Sequence, residues 1–579
     1  MEISNDLLTC IIRVNGFHSP IFTKKIFMKK TTLLFKSVLF GSVFSLIAMS
    51  SLAQKPVKNI TSQISTNTTW SCDTVYFLKG IIYVTNGATI TINPGTVIVG
   101  DTINKGSLVI TKGAKIMAVG TPACPIVFTS SKKSGRRNRG DWGGVILLGK
   151  SSVNTPTGLA NIEGITPNPN TEYGGGSTPD VHDNSGTMKY VRIEFAGVAL
   201  APNNEINGLT FGGVGDGTTI DYVQVSFSND DSFEWFGGTV NCKHIIAFRG
   251  IDDDFDTDNG YSGKVQFAMG LRDPKVADIS GSKGFESDND ASGSTNLPQT
   301  RAIFCNVTST AGGDTTKNSL FTAGAHIRRN SHLMIYNSII MGFPEGLLID
   351  GSLTQGNVTA DTLVNNNFIT CTYAPKYVVT ASPAGTASVI NLLLSSNTYY
   401  VGNKKVKLVK PYALTTPDYH PKATSPALGA AEFDHAGLND PFFDVVSYVG
   451  AFDKTDTWAD TWTNFDPVFG DYYNTPCSCG TPKAETKAVT AEDKNSSVSV
   501  SPNPSNGVFK ATINGFSNTV NIKVISLLTG NVSYTTKQSV VAGKSSTINI
   551  NAANLQAGLY SVEVSDGIKT SSTKLNVVK

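Results

Sequence analysis

Short apolar runs punctuated by Gly or Asn recur along most of this chain, and no other feature constrains the fold as tightly. Val84-Thr85-Asn86-Gly87-Ala88-Thr89-Ile90 returns as Ile110-Thr111-Lys112-Gly113-Ala114-Lys115-Ile116, 26 residues later. Further runs stand at 190–195, 222–227, 244–248, 265–269, 302–307, 333–340, 362–369 and 389–394. Most starts lie 20 to 35 residues apart, with no amphipathic helical stretch evident between them. Such a period points to a solenoid: one coil is too small to bury its own apolar face, and stacked coils share one continuous core. We therefore expect an all-β chain dominated by a right-handed parallel β-helix, with an array of β-sandwiches as the alternative. The 55 Gly and the 16% of charged residues suit strands and tight turns. A formal net charge of +2 provides no general attraction to nucleic acid or anionic lipid.

The ends of the chain read differently. Lys29-Lys30, the apolar run 33–47 and Ser51-Leu52-Ala53 have the three-part pattern of a secretory signal, cleaved after Ala53. Residues 1–27 are then an extension ahead of the true start at Met28. Lys36 and Gly41 interrupt the run, which falls short of the roughly 20 apolar residues a bilayer span needs, so no stable transmembrane span is expected. The body occupies 54–479. Within it, 150–189 lacks apolar rhythm and reads as a long excursion from one coil. Near 411–479 the rhythm fades, and Trp458, Trp462, Phe465 and Phe469 are expected to cap the open end of the helix or to stack on sugars. Residues 480–497 are polar and free of aromatics, as in a linker, and a small β-sandwich domain fills 498–579.

Export to an oxidising compartment makes disulfides available to Cys72, Cys124, Cys242, Cys305, Cys371, Cys477 and Cys479. Their odd number leaves at least one unpaired. Cys72 with Cys124, Cys242 with Cys305, and Cys477 with Cys479 are the pairs considered, although sequence does not fix connectivity.

Several phrases resemble known families. Residues 70–450 are similar in architecture to the pectate-lyase-like β-helix superfamily, without a shared catalytic motif. The wording is that of secreted bacterial β-helix proteins of unassigned function: Ala123-Cys124-Pro125-Ile126-Val127-Phe128-Thr129-Ser130, Asp141-Trp142-Gly143-Gly144-Val145, Ser232-Phe233-Glu234-Trp235-Phe236-Gly237-Gly238 and Tyr448-Val449-Gly450-Ala451-Phe452. At the other end, Ser501-Pro502-Asn503-Pro504-Ser505-Asn506-Gly507, the run 524–530 and Leu555-Gln556-Ala557-Gly558-Leu559-Tyr560-Ser561-Val562 closely resemble a type A sorting domain of type IX secretion. That resemblance implies the type IX secretion machinery as a partner, translocation across the outer membrane, removal of the domain, and release or attachment to the cell surface.

The densest ionisable cluster spans 229–290. Glu234, Asp256 and Glu286 each follow a Phe, and 22 and 30 residues separate Phe233, Phe255 and Phe285. Stacked coils place those rings in the core and the acids in an outward column, because successive strand side chains alternate faces. Neighbouring coils lie about 4.8 Å apart, where two carboxylates repel by about 3–4 kcal/mol at an effective dielectric of 20. Calcium is the expected counter-ion, since it accepts six to eight oxygens in irregular geometry. The candidate metal ligands are Asp230, Asp231, Glu234, Asp253, Asp254, Asp256, Asp258, Glu286, Asp288 and Asp290; Arg249, Arg272 and Arg328 are candidate ligand-binding residues. A solvated acidic face balanced by arginines is the competing reading.

On that basis we expect a surface-delivered protein that binds polysaccharide or another surface through a calcium-loaded face. A lyase using Arg249 or Arg272 as base, a glycosidase using Asp230 with Asp253, and a structural stalk are the alternatives. The basic run 132–139 lacks the interleaved aromatics of a nucleic-acid patch. His182, His244, His326, His332, His420 and His435 have no metal-ligand spacing.

Overall fold

The computed structural model describes residues 54–474, 477 and 497–579, apart from 202–203, 314–316, 362, 373–375, 517, 527–531, 542–543 and 567–569. The expected extension, the signal peptide, Cys479 and all but Ser497 of the linker lie outside the described residues.

The body is the parallel β-helix that the repeats predict. One wall is a ten-stranded parallel sheet running from Ile81–Val84 through Leu209–Gly212, Phe233–Phe236, Phe255–Asp258 and Phe285–Ser287 to Val378–Ala381. Nine gaps between paired strands give this wall a height of about 43 Å. The other walls come from longer strands, among them Gly186–Glu194, Thr219–Ser226, Asn241–Phe248 and Lys264–Leu271, each turning a corner midway. At the corners Tyr190, Tyr222, His244 and Phe267 hold left-handed backbone, with φ between 50° and 59°. Bulky residues disfavour that region. Their rings stack on one another at 4.5, 4.3 and 5.2 Å, which offsets the cost. In later coils Asn306, Asn337 and Asn366 take over the corner, and the Asn366 amide donates to the Asn337 carbonyl oxygen at 2.8 Å.

Inside, Phe233, Phe255 and Phe285 are in register and fully buried, with ring centroids 6.0 and 5.4 Å apart. The 22- and 30-residue spacings therefore report coil length correctly. The run 389–394 does not form a strand: it lies in the helix Ala387–Ser396, packed beside a second helix, Ser352–Asp361. Val389 and Leu393, four residues apart, are the buried pair, a helical spacing hidden inside a continuous apolar run.

The excursion 150–189 folds back over the ten-stranded wall. Val153, Ile162, Ile165 and Tyr173 pack on the outward side chains Val109, Ile146, Leu148 and Phe236, forming a second core outside the helix.

The aromatic segment near the end of the body does not cap an open end. It returns as a strap along the bent walls, back toward the first coil. Trp458 meets His244, Phe465 meets Phe248, and Trp462 meets Tyr222 and Tyr190. Beyond them Tyr472 donates to the carboxylate of Glu194, and Lys55 N–H donates to the Tyr473 carbonyl at 3.0 Å. Cys477 then bonds Cys72. This pairing overturns both Cys72–Cys124 and Cys477–Cys479; Cys124 has a disulfide partner of its own. Cys242 and Cys305 are free and buried. They cannot meet: Cys242 aligns with Val265 and Val265 with Phe304, which puts Cys305 two coils away on the opposite face of its strand.

The C-terminal domain is a sandwich of two antiparallel sheets. Ser497–Ser501, Val508–Asn514 and Ser546–Asn551 form one, and Val532–Val540, Asn518–Ser526, Gly558–Ser565 and Thr570–Val577 form the other. Phe509, Ile522, Val562 and Leu575 lie in its separate core.

Candidate functional site

The outward column is present, and it is longer than the acids alone suggest. Thr210, Glu234, Asp256, Glu286 and His326 follow one another in register on adjacent strands. A second column, three residues earlier in each coil, holds Asp231, Asp253 and Lys283. Each acid holds the next coil's backbone: Asp253 N–H donates to the Asp231 carboxylate at 2.7 Å and Lys283 N–H to the Asp253 carboxylate at 2.6 Å. Asp258 and Asp288 stand beside the first column, at the edge where the strands end.

These acids are not a solvated surface. Asp231, Glu234, Asp253, Glu286 and Asp288 are buried, and Asp230, Asp252, Asp256 and Asp258 are half-buried at the rim. Burial pushes the carboxyls of Asp230, Asp231, Glu234 and Asp256 well above the usual range, and neighbouring carboxylates push them further. Asp252 is raised to about 7, and Asp258, buried next to Asp288, to about 8. Glu163, on the excursion, is also raised to about 7, by partial desolvation and by the nearby Glu205 carboxylate.

Close ion pairs neutralise one half of the cluster. The Lys283 ammonium sits between Asp253, at 3.5 Å, and Glu286. Burial opposes its charge, but those two acids hold its pKa above the ordinary value. Arg328 pairs with Glu286 and, at 2.8 Å, with Asp288, which Arg329 also meets at 2.8 Å. Burial and Arg328 together lower the pKa of the His326 imidazole to about 4.

Among the described residues the other half has no ion-paired cation, although Arg328 acts at longer range on Asp256 and Lys283 on Asp252. Carboxylate oxygens of Asp231, Glu234 and Asp256 lie within 4.8 Å of one another, as do those of Asp230, Asp231 and Asp252. The fully buried Asn207 donates its amide to Glu234 while its carbonyl oxygen has no partner, and the Thr210 hydroxyl beside it has none either. Every group converging there is an oxygen donor, which suits a hard cation and not zinc.

Two predicted ligands do not join the site. Asp254, in the bend just before Phe255–Asp258, instead pairs with Arg272 at 2.9 Å, both fully buried. Asp290 closes a local turn, accepting from Ser292 and Ser294. Of the three predicted arginines only Arg328 meets the acidic cluster. Arg272 is consumed by Asp254 and by the carbonyls of Ile251, Asp252 and Lys283, and Arg249 is held by Asp273 at 2.7 Å over the Phe227 ring. Sequence reasoning passed over Thr210, Asn207 and Lys283. Leu209-Thr210-Phe211 has the same in–out–in pattern as Phe233-Glu234-Trp235, and that signal would have found Thr210.

Among the described residues no helix is long and apolar enough to cross a membrane. Residues 499–579 match the model of a secretion system C-terminal sorting domain. The protein is thus handled by the type IX secretion machinery and is secreted or attached to the outer-membrane surface. A comparison with curated proteins finds no match. One solved structure, the enzymatically active domain of Bacteriophage CBA120 tailspike protein 2, is similar at 10% identity over 87% of this chain and 72% of that chain. Its TM-score of 0.23 is too low to carry any argument. Residues 62–405, more than half of the chain, match the pectate-lyase like beta helix domain, and the chain belongs to that family.

Proposed function

We propose that this exported β-helix binds calcium through Asp231, Glu234 and Asp256, with Asn207 and Thr210 as further oxygen donors, and uses the loaded face to bind polysaccharide. One observation carries the reading: three buried or half-buried carboxylates converge within 4.8 Å, two unpartnered side-chain oxygens adjoin them, and the close ion pairs of Lys283 and Arg328 are made with other acids. Like charges at that spacing repel by about 3–4 kcal/mol at an effective dielectric of 20, a cost that a divalent ion reverses. Rim carboxylates Asp230, Asp252 and Asp258 keep the ion within reach of a ligand's own oxygens. Binding is favoured over lysis because both arginines cast as bases are fixed in ion pairs away from the column. The test is a glycan array probed with the mature chain in calcium and again in chelator. Glycan signals that vanish with chelator are expected; signals indifferent to it contradict the calcium-dependent mode.

A further inference from the structure

On the strap side of the body lies a cavity of about 350 Å³, which the acidic columns do not reach. That volume falls within the range of small-ligand pockets, about 300–1,000 Å³. Strap residues between 459 and 465 form its walls together with residues 416–420, Phe452, Met269 and Lys410. The construction is firm. Tyr419 is buried and donates its hydroxyl to the Gly270 carbonyl at 2.8 Å, while Phe452 stacks on Trp458 with centroids 4.5 Å apart. Phe465 rests edge-on against Phe248 and is only half-buried, so part of its ring lines the cavity.

The polar groups are balanced. His420 Nδ1 lies 2.7 Å from the Asp418 carboxylate and Nε2 lies 2.6 Å from the Asp456 carbonyl. Both partners only accept, so both ring nitrogens carry protons and the imidazole is a cation. The charges of His420 and Lys410 therefore offset those of Asp418 and Asp460. Beside Asp460, Thr461 holds left-handed backbone at φ +69°, a conformation that β-branched residues avoid and that marks an imposed local geometry.

We propose that this cavity is a second binding site, separate from the acidic face, for an uncharged sugar ring. Phe465 offers a surface for the apolar face of a pyranose, and Asp460, Lys410 and Thr463 offer acceptors and donors for its hydroxyls. Absence of net charge disfavours uronates and other anions, and nothing in the pocket calls for a metal.

The mature protein, titrated calorimetrically in EDTA with maltotriose, cellotriose, xylotriose and mannotriose in turn, tests this. At least one trisaccharide is expected to bind with chelator present. Asp460→Ala and Phe465→Ala are each expected to weaken it about tenfold, the loss of one hydrogen-bonded or stacked contact, while Asp256→Asn leaves it unchanged. Asp460 is exposed, so its variant reports even if Phe465→Ala unfolds the strap. Failure of all four trisaccharides at millimolar concentration overturns the proposal. So does binding that survives Asp460→Ala, or binding that Asp256→Asn abolishes. Loss of calcium-dependent glycan binding on the acidic face leaves this result untouched.

Discussion

Cys72 and Cys477, 405 residues apart in sequence, have their Cα atoms 5.4 Å apart and join the end of the body to its first coil. Everything between them is closed into one loop, and the strap is pinned at its far end. Replacing both by Ser is expected to lower the unfolding midpoint, with a cost of about 2–5 kcal/mol as for other native disulfides. The strap should become the first site of proteolytic cleavage. An unchanged midpoint together with an uncut strap contradicts this role.

The core register is tested at Phe255, which lies between Phe233 and Phe285 and also contacts Phe304 at 5.8 Å. Phe255→Ala is expected to cost about 3–5 kcal/mol in denaturant unfolding. A loss below about 1 kcal/mol is the signature of an exposed position and conflicts with the register described.

His420 makes the strap sensitive to pH. Burial of the ring lowers its pKa, but the Asp456 carbonyl, Asp418 and Asp460 raise it by more, so the folded value lies above that of the unfolded chain. A raised histidine pKa stabilises fully below the unfolded value, about 6.5. That stabilisation is lost as pH rises through the folded value. Lys410 lines the same cavity and adds a positive charge against it. The unfolding midpoint of the wild type relative to His420→Gln should therefore be higher at pH 6 than at pH 9. Equal differences at the two pH values rule out a charged clamp.

The sorting domain has its own core, so its removal should leave the body folded. Deleting residues 495–579 is expected to strand a folded body in the periplasm. Surface delivery of the truncated chain, measured by protease accessibility on intact cells, is the contrary outcome.

Periodic features of this molecule were legible in its sequence. The Phe–acid pairs encode a repeat, and a repeat of known length fixes which residues align on adjacent coils; hence the Phe column and the Glu234–Asp256–Glu286 column both follow from counting. What is not periodic stayed hidden. The strap follows no repeat, so neither its path nor the Cys72–Cys477 bond could be read. The excursion's scattered Val153, Ile162, Ile165 and Tyr173 show no strand rhythm, so the core they form over the outward side of the wall could not be read. Asp254 shares a run of acids with Asp253 and Asp256, but only the fold, which buries it in the bend ahead of the strand, reveals that it serves Arg272. Lys283 was overlooked because its role depends on the coil before it, two residues ahead of Phe285 as Asp253 is ahead of Phe255.

The calcium claim is tested most directly by titrating the mature chain with calcium while following heat and melting. The account predicts a heat of binding and stabilisation of about 2.7 kcal/mol at a hundredfold excess over the dissociation constant, reversed by chelator. In Asp256→Asn/Asp258→Asn both responses should disappear, and the calcium-free variant should melt slightly above the calcium-free wild type, because two mutually repelling carboxylates are gone. No heat and no shift in the wild type would contradict the account.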